Sequence, residues 1–581
     1  MMLRSIAAWI RALLLLSIGT VFISCGGGGG SSSLSPSGGM TQNITVTVTP
    51  ASATIDPGGT QLYTATVTGT SNISVTWSAG GVQGGNSTAG TISSSGLYTA
   101  PAVAPNPSSV TITAVSTADS TKSGTATANI RVHHDNQDPQ SGPIKLGTSG
   151  GNSTDTTRSG NQLFCCSGTL GSLVSRAGTL YVLSNNHVLN KSDQGAVGDP
   201  ISQPGLADSN CGTAGIRTVA NMSQAAALKT SNVDAAIAQI VTGQVDTSGT
   251  ILDLAAPGQP AQPSAITGLP AINQAVAKSG DASGLTCSTV TATNALIRVT
   301  YSTSCQGGTN FDVTYNNQVA IAGANFSNSG DSGSLIVDSS NSRPVALLYA
   351  GSNTGTVGNP IQDVYNALKD SNGVTPQVVG GSDHPVACPA GLQLQPGSPG
   401  PQEKRGLPQS EISRATLARN HRMYELMQDS AVDTVEVGRS ADNPDESAVV
   451  VTLRGLASLP IPAQVDGVRT RIVENGEFNA LHPQAKQAAA LSPISETEVA
   501  RARGAKQQHA EELMTNSAII GVGVGASNDS PGESAIVVFV EKGKSVAVPA
   551  VIDGVRTRVI ATDPFRTFNW GKSTVKACSR K

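Results

Sequence analysis

Hydrophobic and polar residues alternate in a distinct way in each of three regions of the chain. From Ile44 to Val132, short runs such as I-T-V-T-V and V-T-I-T-A-V alternate apolar residues with Thr, and turn-forming residues such as Pro57-Gly58-Gly59 separate them. A period of two with closely spaced turns is typical of an all-β sandwich. The pattern predicts such a sandwich over residues 44–132, with Trp77 as its core aromatic residue.

The second region, residues 159–380, is a series of short apolar runs. Helical periodicity appears only near its end, in Pro360 to Lys369. Short runs without a helical period predict strands, so we expect an all-β domain here. Its flanks, residues 133–158 and 381–412, are rich in Gly, Ser, Pro and polar residues and are predicted to be linkers.

The third region repeats itself with a constant offset. The hexapeptide D-G-V-R-T-R at Asp466–Arg471 returns at Asp553–Arg558, 87 residues later. Each copy begins with a charged amphipathic helix and continues with three apolar strands, the second being Ala448–Leu453 or Ala535–Val540. The sequence therefore predicts a tandem α+β repeat over residues 413–499 and 500–581.

The repeated hexapeptide has two interpretations. Asp-Gly favours a tight hairpin turn, and Arg alternating with Val and Thr is typical of a strand with one solvated face. Alternatively, the two arginines bind a carboxylate, either to capture a peptide terminus or to inhibit another domain.

The N-terminus has the pattern of an export signal. Arg4 and Arg11 precede an apolar run that ends near Ile23 and is short for a membrane span. Phe22-Ile23-Ser24-Cys25 resembles a lipobox, which makes Cys25 the expected lipidated residue after removal of residues 1–24. The alternative is ordinary secretory cleavage. The Gly/Ser-rich residues 25–43 are then a flexible tether.

Composition narrows the possible functions. The 581 residues carry a formal net charge of −3, and 13% of them are charged. Such a balance gives no electrostatic basis for binding nucleic acid or an anionic membrane surface. We expect several domains, each large enough for its own core.

Candidate chemistry lies in the second region. The segment N-S-G-D-S-G-S-L (328–335) precedes an apolar strand, and its glycines permit a turn with positive φ. In such a turn the N–H groups of Gly330 and Ser332 can form an oxyanion hole beside the Ser332 hydroxyl. An ordinary Gly/Ser turn is the alternative in a chain with 64 glycines.

A serine nucleophile needs an imidazole base and a carboxylate that orients it. Between Asp135 and Asp383 the sequence has a single histidine, His187, and it follows an apolar run. Asp234 lies in the otherwise apolar segment V-D-A-A-I-A, where a buried carboxylate needs a donor partner. The order His187, Asp234, Ser332 is that of chymotrypsin-like double β-barrels.

These motifs resemble a known family. L-S-N-N-H-V-L (183–189), V-D-A-A-I-A (233–238) and F-S-N-S-G-D-S-G-S-L (326–335) are similar to segments of bacterial secreted trypsin-like serine proteases. Residues 276–286 resemble that family's K-x-G-x-T-x-G-x-T segment, although Ala282 replaces a Thr. The resemblance covers about Gly160 to Thr375 and implies a double β-barrel with His187 as base, Asp234 as its partner and Ser332 as nucleophile.

Other features complete the expectations. S-G-L-Y-T-A-P (95–101) resembles bacterial immunoglobulin-like modules, which are commonly spacers or adhesive units. Counting back from the nucleophile, the pocket floor falls near Phe326 or Ser327, with Tyr349, Ala350 and Gly351 as a wall. None of these residues is charged, which favours a small or apolar side chain before the cleaved bond.

The cysteines fit an oxidising compartment. Cys287 and Cys305 bracket a predicted hairpin and are the first expected pair, and either Cys165 or Cys166 is expected to reach Cys211. Zinc is the alternative, but no Cys-x-x-Cys spacing supports it. His133-His134 beside Asp135 is interpreted as solvated linker, so no metal and no cofactor is expected.

The leading hypothesis is a secreted, lipid-anchored serine endopeptidase acting on proteins or peptides. One rival is a surface binding or adhesion protein on an inactive protease scaffold. Another is a protein that processes only its own chain.

Cys25→Ala tests the anchor. We expect the variant to be exported but no longer labelled by a fatty-acid analogue, because the lipid is attached to this thiol. Labelling equal to that of the wild type would contradict the lipoprotein interpretation.

Overall fold

The structure is a computed structural model. It describes residues 43–55, 58–102, 104–105, 108–130, 134–160, 162–305, 308–323, 325–389, 407–455, 457, 460–474, 494–567 and 576–579. The expected signal peptide, Cys25 and the tether up to residue 42 lie outside these residues. Within them, no helix combines the length and the apolar character that a membrane span requires.

The chain divides into two compact units. The first comprises Thr60–Thr99 and Val110–Ala128 together with the chain up to Ala53, and the second comprises the remainder.

The first unit contains short strands. In chain order they are β1 (Thr45–Thr49), β2 (Ser52–Ile55), β3 (Thr60–Leu62), β4 (Thr64–Thr68), β5 (Val75–Ala79), β6 (Val82–Gln83), β7 (Gly85–Asn86), β8 (Gly90–Ile92), β9 (Leu97–Thr99), β10 (Ser109–Ser116) and β11 (Ser123–Ile130). Strand β1 pairs with β4. The other strands form two sheets, in the orders β2-β11-β10-β5-β6 and β3-β9-β8-β7.

The core of this unit depends on its few aromatic residues. Trp77 is 5% exposed, as the sequence predicted, and Tyr63 and Tyr98 are fully buried. The two tyrosine rings contact each other edge-on, with centroids 6.4 Å apart. Alternate Val, Ile and Ala residues of β10 fill the remaining space because successive side chains of a strand face opposite sides. The immunoglobulin-like assignment stays a prediction.

The described early part of the second unit contains eleven strands, seven of which belong to an eight-stranded sheet. Its first elements are β12 (Thr148–Asn152), β13 (Thr156–Ser159), β14 (Gln162–Cys165), β15 (Gly168–Leu170), β16 (Ser172–Arg176), β17 (Thr179–Ser184), helix α1 (Asn186–Leu189), β18 (Pro200–Gln203), β19 (Arg217–Ala225), β20 (Ala236–Ile240), β21 (Ile251–Ala256) and β22 (Gln259–Ala261). The sheet order is β15-β12-β18-β19-β20-β17-β16, and a late strand, β29 (Gln377–Val378), pairs beyond β16.

A second group of strands closes into a six-stranded barrel. Its elements are β23 (Ala275–Gly280), β24 (Gly284–Ser302), β25 (Asn310–Ala322), β26 (Leu335–Asp338), β27 (Pro344–Gly351), β28 (Gly355–Pro360) and helix α2 (Ile361–Ala367). The order β23-β26-β27-β28-β25-β24 closes because β24 also pairs with β23. The predicted all-β character of residues 159–380 agrees with this arrangement.

The linker predicted at residues 133–158 is in part a structural element of the eight-stranded sheet. Strand β12 pairs with β15 and β18, and the nearby Ile144 and Leu146 are fully buried. A Cβ added at Gly150 would lie 2.4 Å from Cγ of Leu170, so this strand packs too closely for larger side chains. The small residues that resembled a linker are therefore required by close packing.

The linker predicted at residues 381–412 is also shorter than expected. Val386 is 6% exposed and belongs to the core of the eight-stranded sheet, and the Ala387 N–H donates to the Ala255 carbonyl. The remaining linker residues 390–406 lie outside the described part.

Three disulfides join parts of the chain that are distant in sequence. They are Cys165–Cys211, Cys166–Cys305 and Cys287–Cys388. Adjacent residues 165 and 166 take different partners because successive side chains of an extended chain point in opposite directions.

The expected pair of Cys287 with Cys305 is wrong, and Cys165 rather than Cys166 reaches Cys211. Cys287 lies near the start of β24, and Cys305 lies beyond its far end. About 15 residues of strand at roughly 3.3 Å each separate them. The predicted hairpin is longer than assumed, so its two cysteines lie at opposite ends of one strand.

The C-terminal repeats have the same order of elements. The first contains α3 (Gln409–Leu426), β30 (Val432–Arg439), β31 (Ser447–Leu453), β32 (Gln464–Val465) and β33 (Val468–Glu474). The second contains α4 (Glu496–Met514), β34 (Ile519–Ala526), β35 (Ser534–Glu541), β36 (Val551–Ile552) and β37 (Val555–Thr562), followed by β38 (Phe565–Arg566) and β39 (Lys576–Ser579). Asp466 and Asp553 both have a φ of 47°, as expected for the predicted Asp-Gly turns.

The repeats contact each other through equivalent arginines. Arg469 pairs with Glu446 at 2.8 Å and donates to Oγ1 of Thr557 at 3.0 Å in the other repeat. Arg556 pairs with Glu533 at 2.9 Å and donates to the carbonyl of Thr470 at 2.8 Å. The contacts are reciprocal, which is the pattern of a local two-fold axis.

The Asp-Gly hairpin turns of the first interpretation are present, but the roles expected of these arginines are wrong in both interpretations. Side chains of Arg469 and Arg556 are 2% and 3% exposed, so they are neither on a solvated face nor available to a peptide carboxylate. Sequence alone does not show that the two repeats contact each other, and each repeat supplies acceptors that make burial of the other's guanidinium possible.

The second repeat also joins the six-stranded barrel. Strand β34 pairs with β24 in antiparallel fashion, from Ala292 with Gly525 to Ile297 with Gly521. Glycines at alternate positions allow close approach, since a Cβ at Gly523 would lie 3.0 Å from the Ala295 Cβ. The linker predicted at residues 381–412 would let the repeats move relative to the barrel, but this strand pairing fixes the second repeat to it.

Arg469→Ala tests the inter-repeat contact. We expect the melting temperature of the repeats to fall by roughly 5 to 15 °C, because Glu446 and the Thr557 oxygens lose a buried donor worth about 2–4 kcal/mol. Differential scanning calorimetry of the full chain measures it. Arg454→Ala is the matched control, since its ion pair with Asp433 is exposed, with side chains 55% and 28% accessible. Equal shifts in the two variants would contradict this account.

Candidate active site

His187 is positioned by the end of a buried strand. Val182 and Leu183 in β17 are fully buried, and the single helical turn α1 follows and places His187 at its second residue. The imidazole is itself fully buried, and its Nδ1 lies 2.6 Å from Oδ2 of Asp234. The His187 backbone N–H donates to Oδ1 of the same carboxylate at 3.2 Å. The structure therefore brings these two predicted site residues together.

Asp234 lies in the loop just before β20 rather than inside a strand. Side chains fix its backbone on both sides: the Asn185 amide donates to its carbonyl at 2.7 Å, and its N–H donates to Oδ1 of Asn359 at 3.0 Å. Because this carboxylate is fully buried, each of these contacts also determines the direction in which it points.

A tyrosine from the six-stranded barrel completes the environment of Asp234. The Tyr301 hydroxyl donates to Oδ2 at 2.9 Å and lies 3.1 Å from the hydroxyl oxygen of Tyr315. Burial raises the pKa of Tyr301 well above its usual value, and the nearby Asp234 charge adds to the effect. The hydroxyl thus keeps its proton and remains a donor to the carboxylate.

Ser332 lies in a turn that glycine makes possible. Gly330 and Gly333 have φ of 110° and 95°, a region that favours glycine. A Cβ on Gly333 would lie 2.1 Å from Oγ of Ser184, three residues before His187. The turn therefore packs directly against the end of β17.

Two further contacts place Ser332 near the histidine turn. Its carbonyl accepts the Thr169 N–H at 2.8 Å. A Cβ on Gly168 would lie 2.9 Å from that same carbonyl oxygen and 2.7 Å from the side chain of Val188, the neighbour of His187. The Ser332 hydroxyl donates to the carbonyl of Tyr349 at 3.5 Å, and Ser332 is 2% exposed.

A buried ion pair holds the turn in place. Lys278 Nζ lies 3.1 Å from Oδ2 of Asp331, and both side chains are fully buried. The N–H groups of Ala282 and Ser283 donate to Oδ1 of Asp331 at 3.0 and 3.1 Å. Burial lowers the pKa of Lys278 and the negative charge of Asp331 opposes this shift. The residue that precedes Ser332 is thereby fixed by the six-stranded barrel.

Tyr301, Asn359 and Lys278 were not identified as site residues from the sequence. Lys278 carried a signal, because a lysine within the apolar run A-V-A-K-S-G requires a buried partner. Tyr301 and Asn359 carried none, since both reach Asp234 from distant parts of the chain.

The predicted pocket residues are all buried, in or near the six-stranded barrel. Phe326 packs in the interior of the six-stranded barrel, and its carbonyl accepts the Thr286 hydroxyl at 2.6 Å. Ser327 shares a hydrogen bond with Thr356, which adds a polar contact to the predicted set. Tyr349, Ala350 and Gly351 form the end of β27 and are buried.

Each repeat contains a His-Asp pair of its own. His421 Nδ1 lies 2.6 Å from Asp466, and His509 Nε2 lies 2.8 Å from Asp553. The two aspartates are equivalent in the repeats, whereas the histidines are one residue out of register. Both pairs are partly exposed and contribute little to stability.

Comparison with solved structures gives likenesses of low score. A glutamic acid-specific serine protease described as using a histidine triad in substrate binding has a TM-score of 0.28 at 20% identity, covering 40% of this chain and 99% of that one. Protease A of Thermobifida fusca has a TM-score of 0.26 at 15% identity, covering 41% and 100%. A chymotrypsin of Cellulomonas bogoriensis has a TM-score of 0.26 at 15% identity, covering 40% and 97%.

No family model matches the chain, and no curated protein does. The assignment of a reaction therefore depends on the geometry of the site.

Lys278→Met tests the ion pair. Removal of the ammonium leaves Asp331 charged and buried, so we expect the free energy of unfolding to fall by about 3–5 kcal/mol. Denaturant unfolding of the full chain measures it. The double variant Lys278→Met/Asp331→Asn is the control, because it removes both charges and should recover much of the loss. A double variant no more stable than Lys278→Met would rule out the ion pair as the cause.

Proposed function

We propose that the second unit is a serine endopeptidase of the trypsin-like type that hydrolyses peptide bonds of proteins or peptides. The observation that carries the proposal is the fully buried His187–Asp234 pair, 2.6 Å apart, beside a glycine-framed turn that presents Ser332. An orienting carboxylate, a base and a hydroxyl on adjoining loops are the groups that acyl transfer needs.

The proposed reaction starts at the Ser332 hydroxyl. With its Nδ1–H directed at Asp234, the His187 imidazole has its lone pair on Nε2 and accepts the Ser332 proton as Oγ attacks the peptide carbonyl. Asp234 stabilises the resulting imidazolium. His187 then returns the proton to the departing amine, and an ester on Ser332 remains. Water activated by His187 hydrolyses that ester and restores the serine.

Negative charge on the carbonyl oxygen needs donors that are already in place. We assign these donors to the N–H groups of Gly330 and Ser332. The Lys278–Asp331 ion pair supports this role because Asp331, which it holds in a fixed conformation, lies between Gly330 and Ser332. Tyr301 supports Asp234 in the same way, through a hydroxyl that does not contact the substrate.

Specificity is proposed to favour a small or apolar side chain before the cleaved bond. Phe326, Ser327, Tyr349, Ala350 and Gly351 bear no charge that would pair with Lys, Arg or Glu. The Ser327–Thr356 contact adds only hydroxyl groups. No cofactor enters the proposed reaction.

The setting is proposed to be the bacterial cell envelope. Three disulfides suit an exported protein, and Cys25 with its Gly/Ser tether would hold the chain at a membrane as a lipoprotein. The sandwich of the first unit then serves as a spacer between the anchor and the enzyme.

Turnover of a fluorescently labelled unfolded protein by the full chain tests the function. We expect hydrolysis by the wild type and a loss of roughly a thousandfold or more in Ser332→Ala and in His187→Ala, because the groups act as a unit. Ser340→Ala and His384→Ala are the matched controls, since both residues lie in the same unit away from the site, and they should retain activity.

Two results would contradict the proposal. Full activity in a folded His187→Ala variant would exclude His187 as the general base. Complete inactivity of the wild type would favour a binding protein on the same scaffold.

A further inference from the structure

The edge of β27 next to Ser332 is a place where an extended peptide can add to the barrel. Strand β28 covers one side of β27 as far as Gly351. On the other side β26 pairs only up to Leu347, after which the Leu348 N–H donates to the Ser334 carbonyl. Beyond this point the edge formed by Tyr349–Gly351 runs past the nucleophile, whose hydroxyl donates to the Tyr349 carbonyl at 3.5 Å.

The chain itself occupies this edge. Strand β38 (Phe565–Arg566) follows the second repeat and pairs with β27 in antiparallel fashion, Arg566 opposite Gly351. On its other side β38 pairs in parallel with β24, through Val299 and Thr300. Because the pairing with β27 is antiparallel, the chain runs from Gly351 towards Tyr349 and therefore towards Ser332.

Side chains hold β38 firmly in this position. Phe565 is 2% exposed and lies in a cluster with Tyr301 and Tyr349, its ring 5.8 Å from that of Phe539. Thr562, at the end of β37, contacts Oγ of Ser352 at 2.9 Å, just beyond the end of β27.

The backbone continues the same pairing. The Thr567 N–H donates to the Thr300 carbonyl at 3.4 Å, and Thr567 is 1% exposed.

The C-terminal chain is paired at a second place, against β14. Strand β39 pairs with β14 in antiparallel fashion, from Cys165 opposite residue 576 to Gln162 opposite residue 579. Strand β14 leads directly into β15, whose Thr169 N–H donates to the Ser332 carbonyl at 2.8 Å.

Access to the site agrees with this occupation. His187 is fully buried and Ser332 is 2% exposed, whereas a peptide bond must reach both in an open enzyme. A peptide strand would gain main-chain hydrogen bonds along Tyr349–Gly351 by the general mode of strand addition. That gain is available only after β38 leaves.

We propose that β38 is an internal inhibitor, which occupies the edge of β27 where an extended peptide substrate binds and slows the enzyme until it is displaced. The inference rests on the proposed peptidase function. As part of the same chain, β38 has a high effective concentration at the edge, so peptides compete poorly with it. The preferred substrates are then long extended segments, which make enough main-chain contacts to displace it.

Arg566→Pro in the full chain tests the inhibitor. Proline has no N–H and cannot occupy the middle of a sheet, so the pairing of β38 between β24 and β27 is lost. Arg566→Ala is the matched control, because it keeps the backbone N–H and removes only a side chain that is exposed. The readouts are the rate at which a small fluorophosphonate labels Ser332 and the rate of hydrolysis of a short peptide substrate.

We expect both rates to rise roughly tenfold or more in Arg566→Pro and to stay at the wild-type level in Arg566→Ala. Wild-type rates in Arg566→Pro would overturn the proposal that β38 is an inhibitor while leaving the peptidase proposal intact. Absence of labelling and hydrolysis in both wild type and variant would overturn both proposals.

A second variant keeps the test valid if Arg566→Pro does not fold. Thr562→Val removes the hydroxyl contact with Ser352 without changing the backbone. We expect a smaller rise in the same two rates. Unchanged rates in this variant, together with unchanged hydrogen exchange of the Ala350 and Gly351 amides in a Thr562→Val/Ser332→Ala chain, would overturn the inhibitor proposal.

Discussion

The buried carboxylate of Asp234 is the constraint on which the site depends. A charged group without exposure is tolerated only if donors surround it, and here those donors are the imidazole and N–H of His187 and the hydroxyl of Tyr301. They come from the end of β17 in one sheet and from β24 in the other. The hydrogen bonds to this one carboxylate thus require the eight-stranded sheet and the six-stranded barrel to pack against each other in a fixed position. The same requirement leaves the imidazole in one orientation, which is the property that the proposed proton transfer from Ser332 needs.

Strand β24 extends this dependence to the C-terminal repeats. The 19-residue strand begins in the barrel, pairs with β34 of the second repeat through Ala292–Ile297, and ends near Tyr301 and its contact with Asp234. It then receives β38 along Val299 and Thr300. One strand therefore supports the carboxylate, carries the second repeat and forms one side of the position that β38 fills. Since the repeats also bury Arg469 and Arg556 in each other, both repeats are connected to β24 by direct contacts.

The sequence was informative where a residue's own chemistry or spacing carries the signal. Four features can be read directly from the sequence: the single histidine between Asp135 and Asp383, the acid in V-D-A-A-I-A, the glycine-framed serine and the 87-residue repeat. Contacts between backbones are not. The pairing of β24 with β34 joins residues more than two hundred positions apart through N–H and carbonyl groups that every residue has. Strand β12 was predicted as part of a linker because close packing at Gly150 requires small residues, and small residues are also typical of linkers. Disulfide partners were misjudged because the length of β24 was not apparent.

Mapping of the covalent adduct formed by a fluorophosphonate tests the central claim, that the Asp234–His187 pair activates Ser332. After digestion of the labelled full chain, mass spectrometry should find the phosphonate on Ser332. The labelling rate should fall at least a hundredfold in Asp234→Asn, whose amide favours the wrong imidazole tautomer. A label distributed over other serines, or an unchanged rate in Asp234→Asn, would contradict the account.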